Sequence, residues 1–284
     1  MSPRAFEVRP LTSRIGAEVH GIDLGPGLDD DAFAAFRAAF LEHQVLVVRD
    51  QKLDHRALLA LARRFGEPDV HPIAIGLPEH PEILRVYKPK GERAFFGTSW
   101  HTDNTFFAKP SALTLLYGVT IPPAGGDTLF ASMYAAWESL SPPMQAMLRE
   151  LRAVHSAGRA YDPKTTGTAK YEGRAAISYR YSDAIWDEVL HPLVRTHPET
   201  GRLGLFVNPM FTQRIDGLAE HESRALLEML YAHAVRPEWS CRVRWAPGTL
   251  VLWDNRCTQH YALDDYPDHE RLMYRVTVAG ETPR

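Results

Sequence analysis

The chain has 284 residues, of which 45% are hydrophobic and 24% charged, and its formal net charge is -3. This length allows a well-buried core. The net charge is close to neutral and there is no basic run, which argues against nucleic acid as a partner. Two cysteines are too few for a disulfide framework. The sequence contains no run of about 18 apolar residues, so it predicts no membrane span. We therefore expect one cytoplasmic domain over residues 1–284.

The first third of the chain predicts short strands and two helices. Residues 6–24 contain strand-like segments broken by glycines, and residues 45–48 form a β-branched run typical of a buried strand. Between them, phenylalanines recur at helical spacing over residues 33–40. Asp54 has the position of an N-cap for a second helix. These patterns indicate helices packed on a sheet.

The middle of the chain predicts further strands, a helical pair and a long loop. Residues 112–120 predict a strand that ends at a turn rich in proline and glycine, and the sheet resumes at residue 127. Residues 132–154 predict two helices, with Ser141 as the N-cap of the second. Residues 156–185 lack clear periodicity for most of their length, which predicts a lid loop because loops this long are often functional.

The C-terminal third has the clearest β pattern. Residues 241–245 and 271–278 alternate between apolar and polar side chains, and residues 249–253 are mainly apolar. Many short strands separated by turn residues favour a barrel or a double-sheet jelly roll. The sequence therefore predicts a mainly β, cupin-like jelly roll with flanking helices.

A candidate metal site begins at His101 and Asp103. In an extended strand, positions i and i+2 face the same side, so these two side chains can grip one ion together. His260 is the candidate third ligand, which the fold must bring in from a distant part of the sequence. Two histidines and one carboxylate leave coordination positions open on a non-haem Fe(II), whereas a structural zinc site normally has four protein ligands.

Two arginines in the last alternating run form a second feature. Arg271 and Arg275 are four residues apart, so they share a strand face with Met273 between them. Such a pair either makes surface salt bridges or faces inward and binds two carboxylate-like groups. The inward arrangement requires anionic partners, because an unpaired buried charge is costly and arginine binds carboxylates bidentately.

Five segments carry a resemblance to a known family. They are Trp100-His101-Thr102-Asp103 with Thr105-Phe106, Gly125-Gly126-Asp127-Thr128-Leu129, Leu205-Phe206-Val207-Asn208, Trp253-Asp254-Asn255-Arg256 with Thr258-Gln259-His260, and Arg271 with Arg275. In their order and approximate spacing, over residues 12–280, they resemble the taurine dioxygenase (TauD/TfdA) family of Fe(II)- and 2-oxoglutarate-dependent oxygenases.

The resemblance implies a double-stranded β-helix and an enzyme that uses Fe(II), 2-oxoglutarate and O2. By motif, it implies that His101, Asp103 and His260 are the iron ligands. It also implies that Arg271, helped by the hydroxyl of Thr128, binds the distal carboxylate of 2-oxoglutarate. A homo-oligomer, either a dimer or a tetramer, is the assembly expected from the family.

The substrate implied by the resemblance is a small organic anion. Arg275 is expected to bind its anionic end, with His71 and Phe211 beside it and Asn104 lining the pocket. Hydroxylation of a carbon next to a heteroatom then releases the leaving group, with succinate and CO2 as the other products. An alkylsulfonate similar to taurine is the first expectation, and alkyl sulfates and aryloxyalkanoates are the alternatives.

Two positions depart from the taurine enzymes. Ala74 stands where those enzymes have a tyrosine that helps to hold the substrate amine, and Gly97 stands where they have an asparagine with the same role. Both amine contacts are therefore absent from the sequence. Smaller residues at these positions predict a larger and less polar pocket, for which taurine is a poor fit.

Two other classes of protein have to be weighed against the oxygenase. A zinc hydrolase can use two histidines and an aspartate, but the sequence offers no well-placed glutamate as a general base and leaves the arginine pair unexplained. A non-catalytic jelly roll could bind the anion without iron chemistry. Zinc-supported turnover without O2 would indicate the first class, and anion binding without succinate formation would indicate the second.

Overall fold

A computed structural model describes residues 6–92, 97–166 and 177–284 of the chain. Its helices are α1 (Asp30–His43), α2 (His55–Phe65), α3 (Met133–Glu138), α4 (Pro142–Arg149), α5 (Gly158–Tyr161), α6 (Pro163–Thr166) and α7 (Glu220–Ala234). Its strands are β1 (Glu7–Pro10), β2 (Ala17–His20), β3 (Val45–Val48), β4 (Ile83–Lys88), β5 (Leu113–Thr120), β6 (Thr128–Ser132), β7 (Arg152–His155), β8 (Val189–Pro192), β9 (Val194–Thr196), β10 (Leu203–Leu205), β11 (Thr212–Ile215), β12 (Ser240–Val243), β13 (Leu250–Asp254), β14 (Thr258–Ala262) and β15 (Arg271–Val278). Within the described ranges, no helix is long and apolar enough to cross a membrane.

The largest sheet has seven strands in the order β1-β2-β3-β13-β5-β15-β4. Neighbouring strands in it are antiparallel, except that β2 and β3 are parallel. A three-stranded sheet, β12-β6-β14, faces it, because Phe130 of the small sheet packs with Val47 and Met273 of the large one in a single buried cluster. The sheets β11-β7-β8 and β10-β9 extend the fold. The predicted mainly β jelly roll with flanking helices is confirmed.

The sequence of strand β3 is apolar without interruption because both faces of the strand are buried. Leu46 faces outward and packs in one core with Phe36 of α1, whereas Val47 faces the space between the two sheets. Successive strand residues face opposite sides, so a strand that is covered on both faces has no polar position to offer. The helices α1 and α2 supply the outer cover.

Two predictions for the middle of the chain were wrong in part. The second helix of the predicted pair ends at Arg149, and Arg152–His155 forms β7 instead of a continuation of that helix. Strand β7 lies between β8 and β11, so hydrogen bonds from both neighbours favour the extended conformation. The predicted lid loop at residues 156–185 begins with the short helices α5 and α6, and residues 167–176 of it lie outside the described ranges.

Of the two predicted N-caps, Asp54 makes its capping hydrogen bond and Ser141 does not, whereas Asp29 is an N-cap that was not predicted. The side chain of Asp29 accepts a hydrogen bond from the backbone N–H of Ala32 at the start of α1, at 2.7 Å. Asp54 does the same for Ala57 in α2, also at 2.7 Å. Ser141 stands at the predicted N-cap of α4, but its side chain makes no capping hydrogen bond. The two aspartates therefore stabilise their helices through contacts that Ser141 lacks.

The contrast between Asp54 and Ser141 predicts a difference in stability. Asp54→Ala should lower the free energy of unfolding by about 1 kcal/mol, because one N–H of α2 loses its acceptor. Ser141→Ala is the control and should leave that free energy nearly unchanged. Urea denaturation followed by circular dichroism measures both variants. Equal losses for the two would show that the side-chain bond of Asp54 does not stabilise α2.

Candidate metal and anion site

Three possible metal ligands converge at one edge of the space between the sheets. The ligand atoms of His101, Asp103 and His260 all lie within 4.8 Å of one another, and all three residues are buried. Asp103 Oδ1 is 3.7 Å from His101 Nε2 and 3.9 Å from His260 Nε2. The structure thus brings the three residues predicted as a triad together.

The backbone that presents this triad differs from the prediction. His101 forms an isolated bridge with His260, in which each backbone N–H donates to the other carbonyl at 3.0 and 2.8 Å. Asp103 lies in the turn that follows, so the expected regular strand through residues 101–103 was wrong. The pair still shares one side because the bridge fixes His101 and the turn directs Asp103 back towards it.

Hydrogen bonds behind the triad orient two of its members. His101 Nδ1 lies 2.8 Å from the carbonyl oxygen of Ser99, so Nδ1 carries the proton and Nε2 is left as an electron-pair donor. Asp103 Oδ2 accepts a hydrogen bond from the Thr114 hydroxyl at 2.7 Å. The side-chain amide of Asn255 donates in turn to the Thr114 oxygen at 2.9 Å. Oδ1 of Asp103 is therefore the oxygen that faces the two imidazoles.

The protonation states of the triad suit a divalent metal. Burial lowers the pKa of His101, and it lowers the pKa of His260 well below its ordinary value. Burial alone would raise the pKa of Asp103, but Arg275 and the two imidazoles outweigh it and hold that pKa below its ordinary value. Two neutral nitrogens and one carboxylate oxygen are a donor set that Fe(II) accepts while keeping positions open for small ligands.

A cavity adjoins the triad and contains the predicted arginines. Arg271 and Arg275 of β15 are both buried and line it together with Met273. Arg275 Nη2 is 2.8 Å from Asp103 Oδ1, an ion pair that lacks the alignment of a hydrogen bond. Arg271 Nε and Nη2 have no hydrogen-bond partner among the described residues. The inward arrangement is therefore present, and Arg271 has donors ready for an anion.

Thr128 lies on β6, on the opposite wall of the same cavity. Its oxygen accepts a hydrogen bond from Trp245 Nε1 at 3.0 Å, which leaves its own proton to donate to another acceptor. The guanidinium of Arg271 lies 5.5 Å from the centroid of the Trp245 ring. One tryptophan thus contacts both side chains that were predicted to hold a distal carboxylate.

His71 and Asn104, both predicted to contact a substrate, bind each other. His71 Nδ1 accepts hydrogen bonds from the backbone N–H groups of Ile73 and Ala74, so Nε2 carries the proton and donates to Asn104 Oδ1 at 3.1 Å. Burial, followed by the charge of Arg275, lowers the pKa of His71 to about 4. Neither residue lines the cavity as it stands, so the pair forms a wall behind it.

The remaining predicted substrate residues lie in an apolar cluster next to the triad. Ala74 and Phe211 are buried there with Phe106, Tyr161 and other apolar side chains. The ring of Phe211 lies 4.9 Å from that of Phe106, centroid to centroid. Gly97 lines the cavity itself, and its φ of +86° is a conformation that favours glycine. Ala74 therefore lies among apolar side chains, whereas a Cβ at Gly97 would contact Ala262 and the ring of His101.

Sequence reasoning missed three functional candidates. Thr114 and Asn255 orient Asp103, and Lys88 is a buried cation in the cavity. Asn255 belongs to the motif around Trp253, but the motif does not predict which residue Asn255 contacts. Neither Thr114 nor Lys88 had a sequence signal, because a strand threonine is ordinary core and a lysine usually lies at the surface.

A second cluster of possible ligands has a different character. His197, Asp254 and Cys257 also offer atoms within 4.8 Å of one another. However, Arg256 donates to both oxygens of Asp254, at 2.8 and 2.7 Å, and His197 Nε2 lies 3.0 Å from Oδ2. Burial raises the pKa of the Cys257 thiol well above its ordinary value, which disfavours the thiolate that a metal needs. This cluster is a buried ion-pair network.

Comparisons with known proteins agree on one family. A family profile described as "Taurine catabolism dioxygenase TauD, TfdA family" matches residues 7–277. The chain is 37% identical to an α-ketoglutarate-dependent sulfate ester dioxygenase of Pseudomonas putida, over 99% of this chain and 93% of the relative. It is 34% identical to (S)-phenoxypropionate/α-ketoglutarate-dioxygenase of Sphingobium herbicidovorans, over 99% and 97%. A solved structure of AAD-2 with Mn(II) and N-oxalylglycine is similar at 29% identity and a TM-score of 0.80, with 98% of each chain covered.

The hydrogen bond from Thr114 predicts a measurable effect on metal binding. Thr114→Val should weaken Mn(II) binding by about 10- to 100-fold, because Asp103 loses the partner that orients its carboxylate. Thr277 lies opposite Thr114 in the pairing of β5 with β15 and makes no hydrogen bond to Asp103. Thr277→Val is therefore the matched control. Calorimetric titration measures both variants, and equal affinities would contradict the orienting role of Thr114.

Proposed function

Because the chain belongs to the TauD/TfdA family of 2-oxoglutarate-dependent dioxygenases, we propose that His101, Asp103 and His260 hold its catalytic Fe(II). The observation that carries this proposal is the convergence of two neutral imidazoles and one ionised carboxylate beside a cavity lined by buried arginines. Three protein donors leave coordination positions for a chelating cosubstrate and O2. When bound, the Fe(II) and 2-oxoglutarate supply the oxidant for C–H hydroxylation, with succinate and CO2 as products.

Arg271 and Thr128 are proposed to bind the distal carboxylate of 2-oxoglutarate. Arg271 has two unused buried donor nitrogens, and the Thr128 proton is free to point at an acceptor across the cavity. A carboxylate bound to both would satisfy the arginine and hold the other end of the cosubstrate towards the metal. N-oxalylglycine, present in the structure of AAD-2, has the same two carboxylate ends as 2-oxoglutarate.

Arg275 is proposed to bind the anionic group of the substrate. It lies against Asp103, whereas Arg271 is four residues further along the same strand, a separation of about 13 Å. Two anions can therefore bind at separate positions, one near the metal and one at the distal end. His71, Asn104 and Phe211 would form the wall beside the substrate head group.

The substrate proposed is a small organic anion with an apolar body. Besides its charged residues, the cavity is lined by apolar side chains such as Leu116 and Ile177, and Ala74 and Gly97 offer no polar side chain for an amine. Alkylsulfonates, alkyl sulfates and aryloxyalkanoates satisfy this description. Hydroxylation of the carbon bonded to the heteroatom gives an unstable product that collapses to a carbonyl compound and releases the leaving group, which is sulfite, sulfate or a phenol for the three classes in turn.

The wider properties of the protein are proposed from the family and the composition. We propose one catalytic domain over residues 1–284, with residues 156–185 as a lid, in a cytoplasmic homo-oligomer. A zinc hydrolase is disfavoured because no glutamate is among the described residues that line the cavity. Light scattering of the purified protein measures the assembly, and a monomer would contradict that part of the proposal.

A panel of substrates tests the proposed reaction. With Fe(II), O2 and 2-oxoglutarate, succinate formation should be coupled to release of sulfite, sulfate or phenol from one class of anion without an amine. Taurine should be a poor substrate, because Ala74 and Gly97 give its amine no partner. Taurine as the best substrate would contradict the apolar pocket. Turnover with zinc in the absence of O2 would contradict the oxygenase itself.

The two arginines should affect different Michaelis constants. Arg271→Gln should raise KM for 2-oxoglutarate by about 10- to 100-fold, because a charge-assisted pair is lost. Arg275→Gln should raise KM for the organic anion by a similar factor and change KM for 2-oxoglutarate little. Each variant is the control for the other. The same pattern of change in both variants would show that the arginines do not bind separate anions.

A further inference from the structure

Lys88 is the last residue of β4 and faces the cavity. In the antiparallel pairing of β4 with β15, Lys88 lies directly opposite Arg271, and Leu84 lies opposite Arg275. Directly opposed residues have Cβ atoms about 5 Å apart and point to the same face of the sheet. Lys88 therefore stands beside Arg271, at the end of the cavity that is distant from the metal ligands.

The surroundings of Lys88 do not satisfy its charge. Its side chain is only 2% exposed, although lysine is among the residues that are seldom fully buried. Its Nζ donates to the carbonyl oxygen of Tyr266 at 3.4 Å and lies 3.7 Å from Asp264 Oδ1, so both contacts are long. The ammonium has three protons, and a strong charge-assisted bond is normally under 3 Å. It retains the capacity to bind a closer anion.

Lys88 and Arg271 share one aromatic neighbour. Lys88 Nζ lies 4.4 Å from the centroid of the Tyr266 ring, and the Arg271 guanidinium lies 5.8 Å from it. Two buried cations held around one ring repel each other unless an anion lies between them. The distal end of the cavity is therefore suited to a carboxylate that both cations can reach.

We propose that Lys88 is a second cationic group for the distal carboxylate of 2-oxoglutarate, acting next to Arg271 and Thr128. This inference rests on the proposed function, since it assigns a residue to the cosubstrate site. With two positive charges at its distal end, the cavity distinguishes 2-oxoglutarate from monocarboxylic 2-oxo acids more strongly than Arg271 alone. Asp264, which is 28% exposed, holds the Lys88 ammonium in position from the solvent side.

Binding measurements with a redox-inert metal test this role without turnover. Calorimetry of the Mn(II)-loaded protein compares 2-oxoglutarate with 2-oxovalerate, which has the same chain and chelating end but no distal carboxylate. Lys88→Met should raise the Kd of 2-oxoglutarate by about 10- to 100-fold and leave that of 2-oxovalerate within about twofold. Methionine keeps an unbranched side chain as far as Cε and removes a buried charge, so the fold should persist.

Two further variants act as controls. Lys90 is exposed and lies two residues from Lys88, so Lys90→Met removes the same charge outside the cavity and should not change either Kd. Asp264→Asn distinguishes a purely structural ion pair between Lys88 and Asp264 from a role of Lys88 in binding 2-oxoglutarate. If Lys88 only pairs with Asp264, Asp264→Asn should reproduce the effect of Lys88→Met. Under the proposal, Asp264→Asn keeps most of the preference for 2-oxoglutarate.

The outcomes separate the two proposals. Loss of affinity for 2-oxoglutarate alone in Lys88→Met supports the role of Lys88. Unchanged affinity, or an equal loss for both 2-oxo acids, overturns it while the proposed function stands. If the unmodified Mn(II)-loaded protein binds neither 2-oxo acid, the proposed function fails before the variants are compared.

Discussion

The cavity carries more positive than negative charge, and this excess determines which ligands it can bind. Among the described residues that line it, Lys88, Arg271 and Arg275 are three buried cations, whereas Asp103 is the one carboxylate. Such an excess is costly in a poorly solvated space unless anions bind there. In the proposed function, a dicarboxylate cosubstrate and an anionic substrate would supply this charge, and the metal would offset the charge of Asp103. The proposed ligands would therefore balance the charges that the protein alone leaves unbalanced.

The pairing of strands decides which charges meet. In the register of β15 with β4, Arg271 and Lys88 lie at one end of the cavity, and Arg275 lies four residues away beside Asp103. A shift of β15 by one residue would turn Arg271 and Arg275 to the other face of the sheet, where α1 and α2 form an apolar core. The apolar residues of β15 that pack there therefore fix the position of the cations. Packing on one face determines binding on the other.

Much of this could be predicted from the sequence, because the chemistry depends on residue types in recognisable order. The triad, the arginine pair and the jelly roll followed from motifs and alternation. The contacts between side chains could not be predicted in this way. The hydrogen bond between His71 and Asn104 depends on a loop conformation, and the role of Thr114 depends on which strands are neighbours. Strand β7 was predicted as helix because its pairing with β8 and β11 is not a local property of the sequence.

A crystal structure of the protein with Fe(II) and 2-oxoglutarate, prepared without O2, tests the central claim most directly. Anomalous scattering at the iron edge locates the metal independently of the protein atoms. The account predicts one iron bound by His101, Asp103 and His260, with the distal carboxylate of 2-oxoglutarate against Arg271. Iron bound elsewhere, or a distal carboxylate against Arg275, would contradict it.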